Sequence, residues 1–171
     1  MLKYRDIPVF GLNAGYKTEI GWDFLPDYIK RLKEKSGLDM DVDFQRDHVW
    51  SMAQRTAYIE YILQGGVSGR DVYFNSPSWM REYKQDMVIV DGKQRITTAL
   101  MFINNEVPAF GFYHREFADE LPSHCSVTVH INTLSTRAEV LKWYLLLNSG
   151  GTPHTPEEIE KVRKMLAKET K

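Results

Sequence analysis

The sequence holds a single cysteine, Cys125, so it has no internal disulfide, no CxxC pair and no zinc-type cysteine cluster. Stability must come from a hydrophobic core, and 171 residues suffice to bury roughly two-thirds of the unfolded surface without a crosslink or structural metal. An excess of one charge is missing too. Lys and Arg number 22 against 23 Asp and Glu, a net charge of −1, so no global positive field draws the chain to nucleic acid and any such contact needs a local patch. No stretch approaches the roughly 18 apolar residues of a membrane span, and the N-terminal MLKYRDIPVF has no apolar signal core. Together with the lone thiol, these absences point to a cytoplasmic protein without membrane contact. Repeats, low-complexity segments and Pro/Gly/Ser linkers are lacking as well, so residues 1–171 read as one domain.

What is present is an ordinary globular balance, 43% hydrophobic and 26% charged. Leu25, Ile29 and Leu32 recur at helical spacing before Gly37, with Lys30, Arg31, Lys33 and Lys35 toward solvent. LDMDVDF then reads as a short extended piece, and Ser51 as the N-cap of a second helix that carries Ile59 and Ile62 and stops at Gly65-Gly66. Strands are expected at DVYFN, MVIV, VPAFGFY and SVTVHI, the last with Val127, Val129 and Ile131 alternating with Thr128 and His130. Ile96, Ala99, Leu100 and Ile103 predict a helix directly after Asp91-Gly92. Thr136 with Glu139, and Thr155-Pro156 with Glu158, predict capping boxes for two final helices. The fold class is therefore α+β, a small mixed sheet packed by helices.

Three segments carry candidate chemistry. In VIVDGKQRITTAL a buried strand turns through Gly92 into a helix, whose first backbone N–H groups form an anion site. Lys93 and Arg95 supply positive charge there, Gln94 an amide, and Thr97 and Thr98 hydroxyls. Asp91 has three open roles: Mg²⁺ ligand, orienter of an attacking water, or salt-bridge partner of Arg95. Equally, Asp91 could cap the helix while the cations are merely solvated. In DFQRDHVWS, Gln45, Arg46, Asp47 and His48 lie between Phe44 and Trp50, with Arg46 the expected anion contact or else a surface ion pair. In LNSGGTPHTPEE, Asn148, Ser149 and Thr152 flank Gly150-Gly151, a polar glycine loop that suits either a ligand or a plain helix-to-helix connection.

In this order the segments resemble the N-terminal domain of GmrSD-type restriction endonucleases, a branch of the ParB/sulfiredoxin-like fold. The resemblance rests on Phe44, Gln45, Arg46 and Trp50; on Glu60, Ile62, Leu63 and Gly65; on Asp91, Gly92, Gln94, Arg95, Ile96, Thr97 and Thr98; and on Leu147 to Pro153 with Glu157 and Glu158. Lys93 stands where glutamine is commoner, and no proline precedes Phe44. The resemblance implies binding and slow hydrolysis of a nucleoside triphosphate with Mg²⁺, with Gln45, Arg46 and Asn148 converging on the Asp91 to Arg95 turn. Asp91 and Arg95 would be the catalytic pair. It also implies work in DNA restriction, with DNA and a separate nuclease subunit as prospective partners. Other readings are a phosphodiesterase acting on DNA directly, and a non-catalytic nucleotide switch or DNA-binding module.

Full-length relatives add a C-terminal HNH nuclease domain, for which no His-Asn-His arrangement is found before Lys171. Sulfiredoxin chemistry needs a cysteine in the phosphate turn, where this chain has Lys93 and Gln94. Adjacent side chains in an extended segment face opposite ways, so His124 does not activate Cys125, which reads as structural.

Overall fold

The computed structural model describes residues 3, 15–45, 50–82, 84–148 and 156–170. Within them lie four strands, β1 (Tyr16–Gly21), β2 (Asp71–Asn75), β3 (Val88–Asp91) and β4 (Ser126–Asn132), and five α-helices. The helices are α1 (Leu25–Ser36), α2 (Met52–Leu63), α3 (Lys93–Ile103), α4 (Arg137–Asn148) and α5 (Pro156–Glu169). The sheet order is β1-β4-β2-β3, with β4 and β2 parallel and the outer pairs antiparallel. This is the expected α+β class with a small mixed sheet.

Local signals account for the helix ends. Gly37 closes α1 in a left-handed conformation at φ 64°, and the α1 cations Lys30, Arg31, Lys33 and Lys35 are solvent-exposed as expected. Ser51 and Gln54 form a reciprocal capping box at α2. Thr136 and Glu139 do the same at α4, each backbone N–H bonded to the other's side chain at 3.0–3.3 Å. The second expected box rests on Thr155, which lies outside the described residues.

One sequence expectation is corrected. VPAFGFY is not a strand: Ala109 bridges only to Phe112, across a tight turn in which Phe110 and Gly111 take φ 51° and 83°. Two consecutive left-handed residues reverse the chain in the middle of the segment, so its two halves face each other across a hairpin turn closed by the single Ala109–Phe112 pair. LDMDVDF, expected as a short extended piece, pairs with β3 through one bridge, Asp39 to Val88. β1 lies outside the expected strands, and in it Tyr16, Thr18 and Ile20 alternate with exposed Lys17 and Glu19.

The sheet has two unlike faces. Val72 and Phe74 of β2 lie in register with Val129 and Ile131 of β4, and all four are buried in the core with Ile96, Ala99 and Phe102 of α3. Trp22, fully buried, packs against Phe102 and Tyr58 and so ties α2 and α3 together. Asp71, Tyr73, Thr128 and His130 alternate with those apolar residues and are only partly buried. Tyr73 pairs with Asp91, yet the next residue, Phe74, pairs with Ile89, so the ladder skips Val90. This bulge decides which face Asp91 joins, because a one-residue shift reverses every side chain beyond it.

Asn75, buried at the end of β2, receives the Leu134 N–H at 2.8 Å and donates to the Leu134 carbonyl at 3.1 Å. It thereby fixes the path from β4 into α4. At the other end of β2, the strand-to-helix turn depends on Gly92, whose φ is 101° and whose hypothetical Cβ would lie 2.7 Å from Val72 Cγ1 and 3.0 Å from its backbone Cα. Strain and overpacking add, so Gly92→Ala is expected to cost about 2–4 kcal/mol and to lower the melting temperature by about 5–15 °C. An unchanged thermal melt would show that the turn tolerates a side chain.

Candidate functional site

The residues around Gly92 open onto a cavity of about 480 Å³, within the range of small-molecule sites. No side chain caps α3, whose N-cap is Gly92 itself, so its first N–H groups have no intrahelical acceptor at the cavity wall. The partial positive charge of the helix N-terminus falls at the same place.

Asp91, Gly92, Lys93, Gln94, Arg95, Gln45 and Asn148 all line this cavity. The sequence separates them by more than 100 residues, and the fold brings them together by three different routes. Gln45 donates from Nε2 to the Ile89 carbonyl at 3.3 Å and so braces β3 two residues before Asp91. Asn148, at the last turn of α4, donates from Nδ2 to the Tyr144 carbonyl at 2.7 Å. Phe44 is buried against Tyr144, ring centroids 5.4 Å apart, which locks the Gln45 segment onto α4. Arg46, His48, Ser149, Gly150, Gly151 and Thr152 lie outside the described residues. Thr97 and Thr98 are not among the lining residues, and Thr98 is fully buried with its hydroxyl unpartnered among the described residues. Thr97 and Thr98 share the helix faces of Lys93 and Gln94, but at about 1.5 Å rise per residue they lie about 6 Å further down the axis from the turn.

The cations are held by carboxylates. Arg95 donates from Nη2 to Asp91 at 2.6 Å and from Nη1 to the Asp71 carbonyl oxygen. Of the roles open to Asp91, the salt bridge is therefore present, and helix capping is not. Lys93 donates to Asp41 at 2.7 Å; that hydrogen bond, and then the ammonium charge, holds the Asp41 carboxyl below its usual range. Asp41 is largely solvent-exposed, so this pair is weakly held. His130 reaches Asp71 at 2.7 Å and stacks on Tyr73 with centroids 4.7 Å apart. Gln94 Oε1 is buried with no hydrogen-bond partner among the described residues. Such an acceptor is costly unless something donates to it.

The charge signature was legible in the sequence, but Asp71 and the aromatic lining were not. Tyr58, Tyr61, Tyr73 and Tyr144 join Trp50 around the cavity, with Ser68 and Gly69 from the loop after α2. Only Trp50 lay in a segment singled out by sequence. Asp71 and Tyr73 could have been found from period-two alternation in DVYFN, which sends both to the face opposite Val72 and Phe74.

The family model of the GmrSD restriction endonuclease N-terminal domain matches residues 29–126, more than half of the chain. The chain belongs to this family. The match runs from within α1 to the first residue of β4 and thus contains the Asp91 to Arg95 turn and Gln45, whereas Asn148 and the glycine loop fall beyond it. Membership in the GmrSD N-terminal family ties the chain to DNA restriction. No curated protein and no solved structure matches it. Among the described residues of this GmrSD domain, no helix is long and apolar enough to cross a membrane.

Cys125 stands away from the cavity lining and is buried, and desolvation raises its thiol to about 11. With the thiolate suppressed at neutral pH, Ellman's reagent is expected to titrate this thiol slowly in the native protein and fully in urea. Native labelling at the rate of free cysteine would contradict the structural role.

Proposed function

We propose that this GmrSD-family domain binds a nucleoside triphosphate with Mg²⁺ in the cavity and hydrolyses it slowly in the service of DNA restriction. One observation carries the reading: Gln45 and Asn148, far apart in sequence, meet the uncapped N-terminus of α3 with its Lys93 and Arg95 in one cavity. Converging backbone N–H groups, a guanidinium and an ammonium are the usual means of stabilising phosphoryl oxygens.

The charge balance explains why a metal would be required. Asp71 and Asp91 oppose Lys93 and Arg95 within the lining, so a bare triphosphate meets no net positive charge from these side chains. Among the described residues no three metal-ligating side chains cluster. Mg²⁺ takes one or two carboxylates and completes its shell with water and substrate phosphates. Asp91 is the carboxylate placed at the phosphate turn, and Asp71 the second within the cavity. Mg²⁺, when bound, would neutralise phosphate charge. The residues themselves do the rest: Lys93 leaves its exposed partner Asp41 for phosphate, Arg95 is held in place by the Asp71 carbonyl, and Asp91 orients metal or water. Gln94 Oε1 offers a buried acceptor to a ligand hydroxyl or a bound water. Nucleotide occupancy would then govern DNA handling by this chain or by a partner nuclease.

Thermal-shift titration with ATP, GTP, CTP and UTP is expected to show stabilisation by at least one of them in the presence of Mg²⁺ and little without it. Arg95→Ala should abolish the shift while melting near the parent, since its ion pair is partly solvent-exposed. Binding retained by a folded Arg95→Ala protein would refute the assignment. In phosphate-release assays, Asp91→Asn should lose at least tenfold in turnover, as loss of a group that orients metal or water does. Unchanged release would remove Asp91 from the reaction.

A further inference from the structure

Cavity charges explain how phosphates would be held and leave open how a nucleobase would be met. Five aromatic side chains line the cavity, and four of them are committed elsewhere. Trp50 and Tyr58 pack on one another at 5.2 Å, and Tyr58 also leans on Trp22 and donates to the Gly69 carbonyl. Tyr73 is stacked on His130 and meets Trp143 edge-on. Tyr144 is buried against Phe44. Tyr61 differs from all four: it is 42% exposed and makes no ring contact with another aromatic among the described residues.

Its ring is nonetheless held in place. The phenol oxygen lies 2.6 Å from the Ser68 hydroxyl and accepts the Ser68 N–H at 3.2 Å. Gly66 packs directly against the ring, so closely that a Cβ there would sit 2.4 Å from Cε1 and Cζ. The Gly66 N–H is in turn fixed to the Tyr61 carbonyl at 2.9 Å. A planar surface, backed by glycine on one side, pinned at its tip and lining a cavity, is the usual platform for a purine or pyrimidine.

We infer that Tyr61 is the base-stacking residue of the nucleotide site, with Gly66 and Ser68 serving to set its ring. The inference rests on the nucleotide reading above. It divides the ligand chemically: the Gly92 to Arg95 turn takes the phosphates, and the α2 wall takes the base. Tyr61 is half-buried and lies outside the hydrophobic core, so its replacement is expected to leave the fold intact.

The test compares binding of each nucleoside triphosphate with binding of inorganic tripolyphosphate, both with Mg²⁺, to parent, Tyr61→Leu, Tyr61→Phe and Arg95→Ala proteins. Loss of one stacked base corresponds to roughly a 10- to 100-fold weaker nucleotide. Tyr61→Leu should show that loss and leave tripolyphosphate unchanged, Tyr61→Phe should weaken the nucleotide less than leucine does because the ring stays and only its Ser68 bonds go, and Arg95→Ala should lose both. Unchanged nucleotide affinity in Tyr61→Leu, or equal weakening of tripolyphosphate, overturns the inference. So does a Tyr61→Phe loss as large as that of leucine, which would credit the Ser68 bond and not the ring. If the parent binds tripolyphosphate as tightly as every nucleotide, base stacking fails while the phosphate site stands. If the parent binds neither, the nucleotide reading fails and stacking with it.

Discussion

The close approach of Gly92 to Val72 is the constraint on which the site depends. A buried strand must pass into a buried helix within one residue, and the left-handed conformation that allows this also brings backbone against a β2 side chain. Any side chain at that position would push α3 off the sheet. Because the turn is glycine, no side chain caps the helix, and its polar N-terminus stays open to the cavity. Packing and binding capacity thus share one cause.

The second consequence concerns charge. Arg95 and Lys93 are not idle cations awaiting a ligand, since each is already paired with a carboxylate. The two pairs differ in kind. Lys93 is tied to an exposed aspartate that water can replace, whereas Arg95 is fixed between Asp91 and a strand carbonyl. A partly buried cation with its partner supplied by the neighbouring strand is positioned before any ligand arrives, and that lowers the entropy lost on binding. The cost of this arrangement is a cavity with little net positive charge, which makes a divalent cation part of the proposed recognition.

Much of the scaffold was readable locally. Gly37, Ser51, Thr136 and Glu139 mark helix ends through hydrogen bonds that act within four residues, so their meaning does not depend on the fold. VPAFGFY misled because its residues favour strands one by one, while Phe110 and Gly111 turn the chain in a way that only tertiary packing selects. The β1 alternation was present in YKTEIG, but an edge strand with two charged outward residues carries a weak apolar signal.

By itself the sequence determined the chemistry of the Asp91 to Arg95 turn, because these five residues are contiguous and a strand-glycine-helix unit presents them whatever surrounds it. Four such local motifs, in order along the chain, carried the family likeness. Tertiary structure decided the rest of the cavity. The skipped Val90 sets Asp91 beside Tyr73, and parallel pairing of β2 with β4 puts Asp71 within reach of His130. Asn75 steers α4 so that Asn148 arrives from the far end of the chain. Register and crossover geometry are properties of strand pairs, and a single strand's residues do not specify its partner.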